Sequence, residues 1–378
     1  MKYSIKKKKV ADIPIESLVS AKIYRRPFLS VKNTYVKKIY KNKTIAELVK
    51  KICLMPNLGI KDLIWQQYDH MITRNVLNEI GGNASIIKTN TGKQAIAVTT
   101  DCNIYYCDAN PYLGAIQAIS ESFRNLISVG AKPLAITNCL NFGNPEKNKV
   151  MGQFVDTIKG MIKASNYLNL PVVSGNVSFY NETNNKNIPP TPQIGAVGVV
   201  DNFDQVVSYN SFSNQDNVYI IGNTEGHLSC SVYERCFYKF STTKNSSVPP
   251  TVDLKKELKN AKIIETLIKN NKISACHDIS DGGLIMALIK MCASRSVSIK
   301  FKNISKNHNF LFGEDQSRYI ITVNQQYVND VETYLFKQNT FYKNLGKIDN
   351  TAKVLKFPDK SSISVDSINK YLKMWQKR

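Results

Sequence analysis

The spacing of apolar residues predicts a first unit of alternating strands and helices between about Ile64 and Val200. Runs rich in β-branched residues predict strands at 95–100, 134–137, 171–174 and 193–200. Between them, apolar residues recur at the i, i+3, i+4 spacing of a helix that buries one face. One such helix begins at Pro111, and another spans Met151 to Ile162. Short strands that alternate with amphipathic helices are typical of an α/β fold.

The same pattern recurs in the second half of the chain. An apolar strand at 218–221 is followed by a helix that carries Leu254, Leu258, Ile263, Ile264 and Leu267. Further strands are predicted at 274–277 and 319–323, with a helix from Leu284 between them. The polar segment 201–216 is rich in Ser and Asn and has the composition of a domain linker. The pattern therefore predicts two α/β domains joined near residue 210.

Four segments are predicted along the chain. They are an extended lead-in at 1–60, a first domain at 61–205, a second domain at 215–355 and a basic tail at 356–378. The lead-in is basic, holds few carboxylates and contains Pro14 and Pro27, so we expect it to pack poorly. The length of 378 residues also favours two domains, because single cores stop growing at roughly 250–300 residues.

Composition narrows the class of protein without identifying it. Hydrophobic residues make up 43% and charged residues 21% of the chain, as in ordinary globular proteins. No apolar run approaches the ~20 residues of a membrane span, and the basic N-terminus lacks the apolar core of a secretory signal. We therefore expect a cytoplasmic protein with no membrane partner. The 8 cysteines include no CxxC pair, and with 4 histidines this argues against a zinc site or a disulfide framework.

The formal net charge of +22 allows two interpretations. It is compatible with nucleic-acid binding through phosphate contacts. The interpretation that we favour is a surface on which lysine replaces other polar residues. Lys6–Lys9 is the only tight cluster of lysines, and no zinc finger or Arg-rich stripe accompanies it. We therefore do not expect a nucleic-acid partner, although a positive field would favour anionic nucleotide substrates.

Candidate chemistry is concentrated in four segments rich in Gly, Asn, Asp and small hydroxyl residues, each next to a predicted strand end. They are 101–103, 138–145, 175–181 and 277–283. Each alone is compatible with an ordinary turn, but ligand sites in α/β folds collect at the loops that follow strands. Glycine lets backbone N–H groups approach phosphate, and Asp or Asn oxygens suit Mg²⁺. The segments include no Walker A loop and no GxGxxG turn.

The order of several motifs resembles the phosphoribosylformylglycinamidine synthase family over nearly the whole chain. The motifs are NPYLGA at 110–115, GAKPLA at 130–135, NFGNP at 141–145, GNVSFYNET at 175–183, PTPQIG at 190–195 and HDISDGGL at 277–284. The chain resembles the C-terminal half of that family's synthetase subunit. Aminoimidazole ribonucleotide synthetase is a weaker alternative, because the motifs at 175–183 and 190–195 point away from it.

The resemblance implies both a fold and a reaction. The fold is that of the aminoimidazole-ribonucleotide-synthetase-like ATP-binding superfamily, of class α/β (α+β), with an N-terminal barrel-forming domain before a C-terminal α/β domain. The reaction is the ATP-dependent conversion of formylglycinamide ribonucleotide to formylglycinamidine ribonucleotide, with ATP and Mg²⁺ as cofactors. The implied partners are the N-terminal half of the synthetase, a glutamine amidotransferase subunit that supplies ammonia, and a small accessory subunit.

The resemblance also implies roles for individual residues. Asn138 and Gly175 correspond to ATP contacts, Asn176 to a Mg²⁺ ligand and Ser178 to a substrate contact. No catalytic residue is carried over, because the catalytic histidine of the family belongs to the other half. The family usually has Asp at the positions of Asn138 and Asn110, so the exchange removes negative charge there. A Leu-Gly-Gly-Ser motif of the family is replaced at 228–231 by Leu-Ser-Cys-Ser.

A second nucleotide site is implied elsewhere in the chain. Asp101 and Asp278 are candidates to line the auxiliary nucleotide site, whose role in the family is structural. Asn103 cannot transfer protons as a histidine would. His277 is a candidate base beside Asp278, but a buried or turn-capping histidine is the commoner situation. The chain is therefore expected either to work with a complementing N-terminal half or to be a non-catalytic remnant.

The barrel-forming face of the first domain gives a further expectation. In the family this face is buried against the other half, so here its strands should expose apolar side chains. Large exposed apolar patches are unusual on monomers and mark interfaces. We therefore expect self-association or dependence on a partner.

Overall fold

The computed structural model describes residues 2–20, 25–30, 43–68, 75–78, 81–90, 92–237, 247–302 and 304–377. The chain begins with an antiparallel hairpin of β1 (Lys2–Ile5) and β2 (Lys8–Asp12), which helix α1 (Ile15–Val19) follows. Residues 25–30 run along the helix at 148–168, where the Leu29 amide donates to the Asn148 carbonyl oxygen at 3.0 Å. Helices α2 (Ile45–Cys53) and α3 (Asp62–Trp65) come next.

The first domain is built on a five-stranded sheet. Its elements are β3 (Ser85–Lys88), β4 (Ala95–Asp101), α4 (Ile104–Ala109), α5 (Pro111–Ser128), β5 (Lys132–Asn141), α6 (Asn148–Leu168), β6 (Val172–Ser178), β7 (Glu182–Thr183), β8 (Lys186–Asn187) and β9 (Thr191–Val200). The strand order is β3-β4-β9-β5-β6, with β7 and β8 in a separate small hairpin. Strands β5 and β6 are parallel, and the other pairs in the sheet are antiparallel.

Helices α5 and α6 pack on one face of this sheet only. Asn110 caps α5 through a bond from the Leu113 amide, and Pro111 occupies the first turn, where its missing N–H costs nothing. On β4 the side chains alternate, so that Ala95 and Ala97 are buried under the helices. Ile96 and Val98 point the other way and are each 40% exposed. The predicted exposure of apolar residues on the barrel-forming face is thus confirmed.

The second domain contains a five-stranded antiparallel sheet. Its elements are β10 (Asn217–Ile221), α7 (Val232–Phe237), α8 (Leu254–Lys269), β11 (Ala275–Asp278), α9 (Gly283–Arg295), β12 (Ser298–Phe301), α10 (His308–Phe312), β13 (Tyr319–Val323), α11 (Val328–Lys337), β14 (Tyr342–Asp349), β15 (Val354–Lys356), β16 (Ser362–Ser364) and α12 (Val365–Lys373). The strand order is β11-β13-β10-β14-β12, and every residue of β10 and β13 is buried.

Two predictions for the ends of the chain are wrong. The lead-in at 1–60 is not extended throughout, because α2 is a helix closed by a Thr44–Glu47 capping box. Its apolar face, with Ile45, Leu48, Val49 and Ile52, is buried in the core of the second domain. The segment 356–378, predicted as a basic tail outside the second domain, is part of that domain, since α12 buries Val365, Ile368 and Leu372. Both helices have a regular apolar face, but their lysines make the local composition look like that of an exposed segment.

The segment between the domains is also packed. Val207 and Phe212 are buried, and Asp216 accepts hydrogen bonds from the Ser213 amide and the Ser274 hydroxyl at 2.9 and 2.6 Å. The strands and helices predicted between Ala95 and Val323 are all present. In the described part of the chain, no helix is long and apolar enough to cross a membrane. All eight cysteines are free.

Candidate functional site

The four residues singled out by the sequence lie on two neighbouring strands. β5 and β6 pair in parallel, with Asn138 opposite Gly175 and Asn141 opposite Ser178. We call Asn138, Gly175, Asn176 and Ser178 the strand-edge cluster. β6 is the outermost strand, so within the described residues the sheet offers no neighbour on its other side. Nearly the whole strand is exposed.

The cluster is divided between the two faces of the sheet, because side chains alternate along a strand. Asn138 is half-buried on the side of α6 and borders a cleft of about 600 Å³ between α6 and β6. Gly175 lies beside it on the same face, and a Cβ at position 175 would overlap Oδ1 of Asn138. Glycine is therefore the residue that lets Asn138 keep this position.

Asn176 and Ser178 lie on the opposite face, which is the face that exposes Ile96 and Val98. The side-chain Nδ2 of Asn181 donates to both the hydroxyl and the carbonyl oxygen of Ser178, each at 3.1 Å. It also donates to the Phe142 carbonyl oxygen at 3.0 Å. Ser178 is thus held in place, whereas Asn176 is exposed to solvent.

Lys147 supplies a positive charge in the loop that follows β5. The Lys147 ammonium lies 2.7 Å from the Glu182 carboxylate, and this hydrogen bond lowers the pKa of Glu182. The Asn144 side chain adds a weaker bond to Glu182 at 3.3 Å. The loop that follows β5 is therefore tied to the loop that follows β6. The sequence singled out both segments, but not Lys147.

A second group of polar residues lies in a cavity of about 720 Å³ that both domains line. We define the acidic pocket by Asp101, Glu121, Asn125 and Asp278. The Asp101 carboxylate accepts hydrogen bonds from the Ser122 hydroxyl at 3.1 Å and the Asn125 amide at 3.0 Å. Burial, together with the nearby Asp278 carboxylate, raises the pKa of Asp101 to about 7. Burial also raises the pKa of Glu121 well above its usual value.

Arg124 is the buried cation of this region. Its guanidinium contacts the Glu257 carboxylate of α8 at 2.6 Å, and both side chains are fully buried. Arg124 Nε lies 3.9 Å from Oδ2 of Asp278, which has no hydrogen-bond partner among the described residues. Burial alone would raise the pKa of Asp278, but the His277 contacts and the Arg124 charge outweigh it and lower this pKa. Arg124 therefore links the first domain to the second.

His277 is a packed, buried side chain, and Asn103 caps a helix. His277 is buried, donates from Nδ1 to the Asp278 carbonyl oxygen at 2.7 Å, and packs edge-on against the Tyr209 ring at 5.6 Å. Asn103 caps α4 by accepting from the Tyr105 and Tyr106 amides. These contacts agree with the commoner expectation of a buried histidine.

In the second domain, sequence reasoning missed the role of Glu314 but did single out Cys230. Glu314 accepts from the Gly282 and Val232 amides at 2.7 and 2.8 Å, and burial raises its pKa to about 7. Cys230 has a left-handed backbone, with φ of 59°, at a position where the resemblance expects glycine. Sequence reasoning also missed Arg124, a charged residue that α5 buries outside its predicted apolar face.

Two family profiles match the two domains. The profile described as AIR synthase related protein, N-terminal domain, matches residues 81–200, and that for the C-terminal domain matches residues 216–355. The chain therefore belongs to the AIR synthase related family of proteins.

Within this family, the similar curated proteins are PurL subunits of phosphoribosylformylglycinamidine synthase. The chain is 38% identical to the Pelagibacter ubique PurL over 97% of this chain and 50% of that protein. It is 40% identical to the Azorhizobium caulinodans PurL over 83% of this chain and 43% of that protein. The chain thus spans about half the length of the curated relatives it matches.

Solved structures show the same fold. The Thermotoga maritima PurL complexed with ATP is 19% identical, with a TM-score of 0.59 over 92% of this chain and 48% of that one. The same protein complexed with FGAR is 16% identical, with a TM-score of 0.66 over 87% of this chain and 54% of that one. At these identities the likeness establishes the fold of the chain alone.

Proposed function

We propose that this chain is the second half of a PurL-type synthetase and acts in purine biosynthesis as an ATP-dependent carbon–nitrogen ligase. In the proposed reaction ATP phosphorylates the amide oxygen of formylglycinamide ribonucleotide, and ammonia then displaces phosphate to give the amidine. The observation that carries the proposal is the pairing of β5 with β6, which sets Asn138 against Gly175 and holds Ser178 beside Asn176. Relatives named PurL at 38–40% identity support it.

Each residue of the strand-edge cluster has a proposed task. Gly175 leaves the backbone open to ATP phosphate oxygens, and Asn138 contributes its amide beside it. The positioned Ser178 hydroxyl contacts the substrate. None of the four side chains is a general acid or base of suitable pKa. As the resemblance implies, we assign proton transfer to the N-terminal half, so that the chain is active only with that half.

Magnesium is proposed at Asn176. Its exposed amide oxygen is a hard donor of the kind that Mg²⁺ accepts. Among the described residues, however, no group of three His, Cys, Asp or Glu side chains could hold a metal ion, so this half supplies only part of a coordination sphere. Carboxylates of the N-terminal half and phosphate oxygens would complete it. Gly175 and Asn176 face opposite sides of the sheet, but β6 is its outermost strand, so the ion would meet the phosphates around the strand edge and offset their charge.

The proposed partners follow from the same incompleteness. The exposed apolar face with Ile96 and Val98 would be covered by the N-terminal half. A Thermotoga maritima structure described as PurLQS shares the fold, with a TM-score of 0.59 over 92% of this chain. It favours an assembly that also holds a glutamine amidotransferase subunit and a small accessory subunit.

The acidic pocket is proposed as the auxiliary nucleotide site. Asp278 Oδ2 is buried without a hydrogen-bond partner among the described residues, and Asp101 has a raised pKa. Both observations indicate carboxylates that a bound cation would stabilise in their charged form. A magnesium-bound nucleotide meets that requirement. Its role would be structural, as the resemblance to the synthetase family implies.

The test is phosphate release from ATP in the presence of formylglycinamide ribonucleotide and ammonium, measured with and without an N-terminal half. The isolated chain should show no turnover, because general acid–base catalysis typically contributes ~10²–10⁴-fold. The mixture should turn over, and Asn176→Ala or Gly175→Val should abolish the gain. Asn329→Ala, at an exposed position of α11 in the second domain, is the matched control and should leave turnover unchanged. Turnover by the isolated chain would contradict the half-site argument.

A non-catalytic remnant is the second candidate. Asn138 in place of the expected Asp and the left-handed Cys230 are the observations that favour it. A remnant would bind an N-terminal half without restoring phosphate release. The same assay therefore separates the two functions.

A further inference from the structure

The first 19 residues repeat the end of the chain. β1, β2 and α1 form a hairpin followed directly by a helix, and β15, β16 and α12 form the same unit at the C-terminus. The sequences agree across the strand-to-helix junction, where Ile13-Pro14-Ile15-Glu16-Ser17-Leu18 matches Ile363-Ser364-Val365-Asp366-Ser367-Ile368. Pro14 and Ser364 occupy the same N-cap position. The chain therefore contains two copies of one structural unit.

The C-terminal copy shows how such a unit is covered. α12 packs against α2 and α9, and β15 packs against β12. Ile363, Val365 and Ile368 are buried, and Val365 is 0% exposed. Asp366 points to solvent. The apolar side of the unit thus closes the outer edge of the second domain.

The N-terminal copy lacks such a cover in the described part of the chain. Five of its apolar side chains are exposed: Tyr3 59%, Ile5 53%, Val10 51%, Ile15 65% and Val19 77%. Ile15, which corresponds to the fully buried Val365, shows the contrast most directly. The second domain cannot provide the cover, because the C-terminal copy already occupies that place.

We propose that residues 2–19 are the final hairpin and helix of another domain with the fold of residues 216–373, and that they dock onto that domain in the N-terminal half of the synthetase. The inference rests on the proposed function, which requires such a half. The match to the Pelagibacter ubique relative covers 97% of this chain and half of that protein, so it includes part of this segment and leaves another half outside. Exchange of one structural element between polypeptides is the principle of domain swapping.

The experiment uses two forms of the N-terminal half of the Pelagibacter ubique relative. The shortened acceptor ends just before the segment that matches Lys2, and the extended acceptor includes that segment. A peptide of the relative's own segment is added to the shortened acceptor first, to show that the vacant position binds. Affinities of the full chain for both acceptors are then measured by calorimetry.

The chain should bind the shortened acceptor at least about ten-fold more tightly than the extended one, because only the former leaves the docking position open. Ile15→Asp should weaken binding to the shortened acceptor by about ten-fold or more, since it places a charge at a buried position. Glu16→Lys is the matched control and should change affinity less than about two-fold, because the corresponding Asp366 is solvated. Both substituted residues are exposed here, so the fold of the chain is unaffected.

Equal affinity for the two acceptors, or Ile15→Asp binding like the unsubstituted chain, would overturn the inference. Phosphate release by the mixture tests the proposed function separately. Docking that depends on residues 2–19 without turnover would support the inference and contradict the proposed function. Turnover that Ile15→Asp leaves unchanged would support the proposed function and contradict the docking.

Discussion

In the strand-edge cluster, polar side chains lie exposed or half-buried on an outer strand, and few contacts within the chain hold them. Beside the acidic pocket, by contrast, Arg124 and Glu257 are fully buried and paired across the two domains. The first region can lose a side chain with little effect on folding, but it needs another surface to become a site. In the second region both partners of the buried ion pair belong to this chain, and the pair helps to hold the two domains together.

The difference teaches how to separate binding residues from structural ones in this fold. Buried charges cost free energy unless they are paired, so their substitution should appear in stability. Exposed polar residues on a strand edge contribute little to stability, so their substitution should appear in binding and turnover. The following predictions test this division.

Arg124→Met should have the largest effect on stability. It removes the cation that pairs with Glu257 and lies near Asp278, and breaking one partner of a buried pair typically costs about 3–5 kcal/mol. Urea denaturation should show this loss in the free energy of unfolding. Lys93→Met, which breaks the exposed pair with Asp204, is the control and should cost less than about 1 kcal/mol. Similar losses of unfolding free energy in the two variants would contradict the proposed difference between buried and exposed charges.

The acidic pocket should also make stability depend on pH. The pKa of Asp101 is raised to about 7 in the folded chain, so the folded state binds its proton more tightly than the unfolded state. This contribution is fully present below pH ~4 and is lost as pH rises through about 7. Each pKa unit corresponds to ~1.4 kcal/mol, so the loss is on the order of a few kcal/mol.

Denaturation curves between pH 4 and 8, without nucleotide or magnesium, measure this effect. Asp101→Asn should make the decline over that range less steep, because the amide cannot ionise; Glu121 and Glu314, whose pKa values are also raised, should account for what is left. An equally steep decline in the variant would show that another group causes it.

The exposed face beside the strand-edge cluster should affect association and leave stability nearly unchanged. Val98→Glu places a charge on the apolar face, and burying it against the N-terminal half should weaken that complex by about ten-fold or more. Leu258→Glu on α8 is the control, since Leu258 is an exposed apolar residue away from the sheet face. Light scattering and calorimetry would measure both. Equal binding by the two variants would contradict an interface on this face.

Much of the fold could be predicted from sequence because its signals are local. The strand at Tyr319–Val323 and the helix from Pro111 were predicted from an apolar run and a helix-starting proline, and both are present. The ends of the chain were misjudged because lysine-rich composition was given more weight than the apolar spacing of α2 and α12. Whether such an apolar face is buried depends on a second element that packs against it, and the local sequence does not show that element.

The candidate site could be predicted in part. The motifs singled out Asn138 and Gly175 as contacts to the same ligand, and the structure places them side by side on paired strands. Sequence alone did not indicate that Asn176 and Ser178 lie on the other face, because this depends on the register of β5 and β6. It also missed the pairing of Arg124 with Glu257, since 133 residues separate them along the chain. The assigned roles of the strand-edge cluster stay predictions until they are tested.

The bare edge of β6 has a consequence for how the chain is produced. Val172–Ser178 contains no lysine or proline, the residues that usually protect a strand edge from pairing with other chains. A surplus of this polypeptide would therefore be prone to aggregate and to be captured by chaperones or degraded. Its synthesis would have to match the supply of the surface that covers the strand, so the cell would control the stoichiometry of the two.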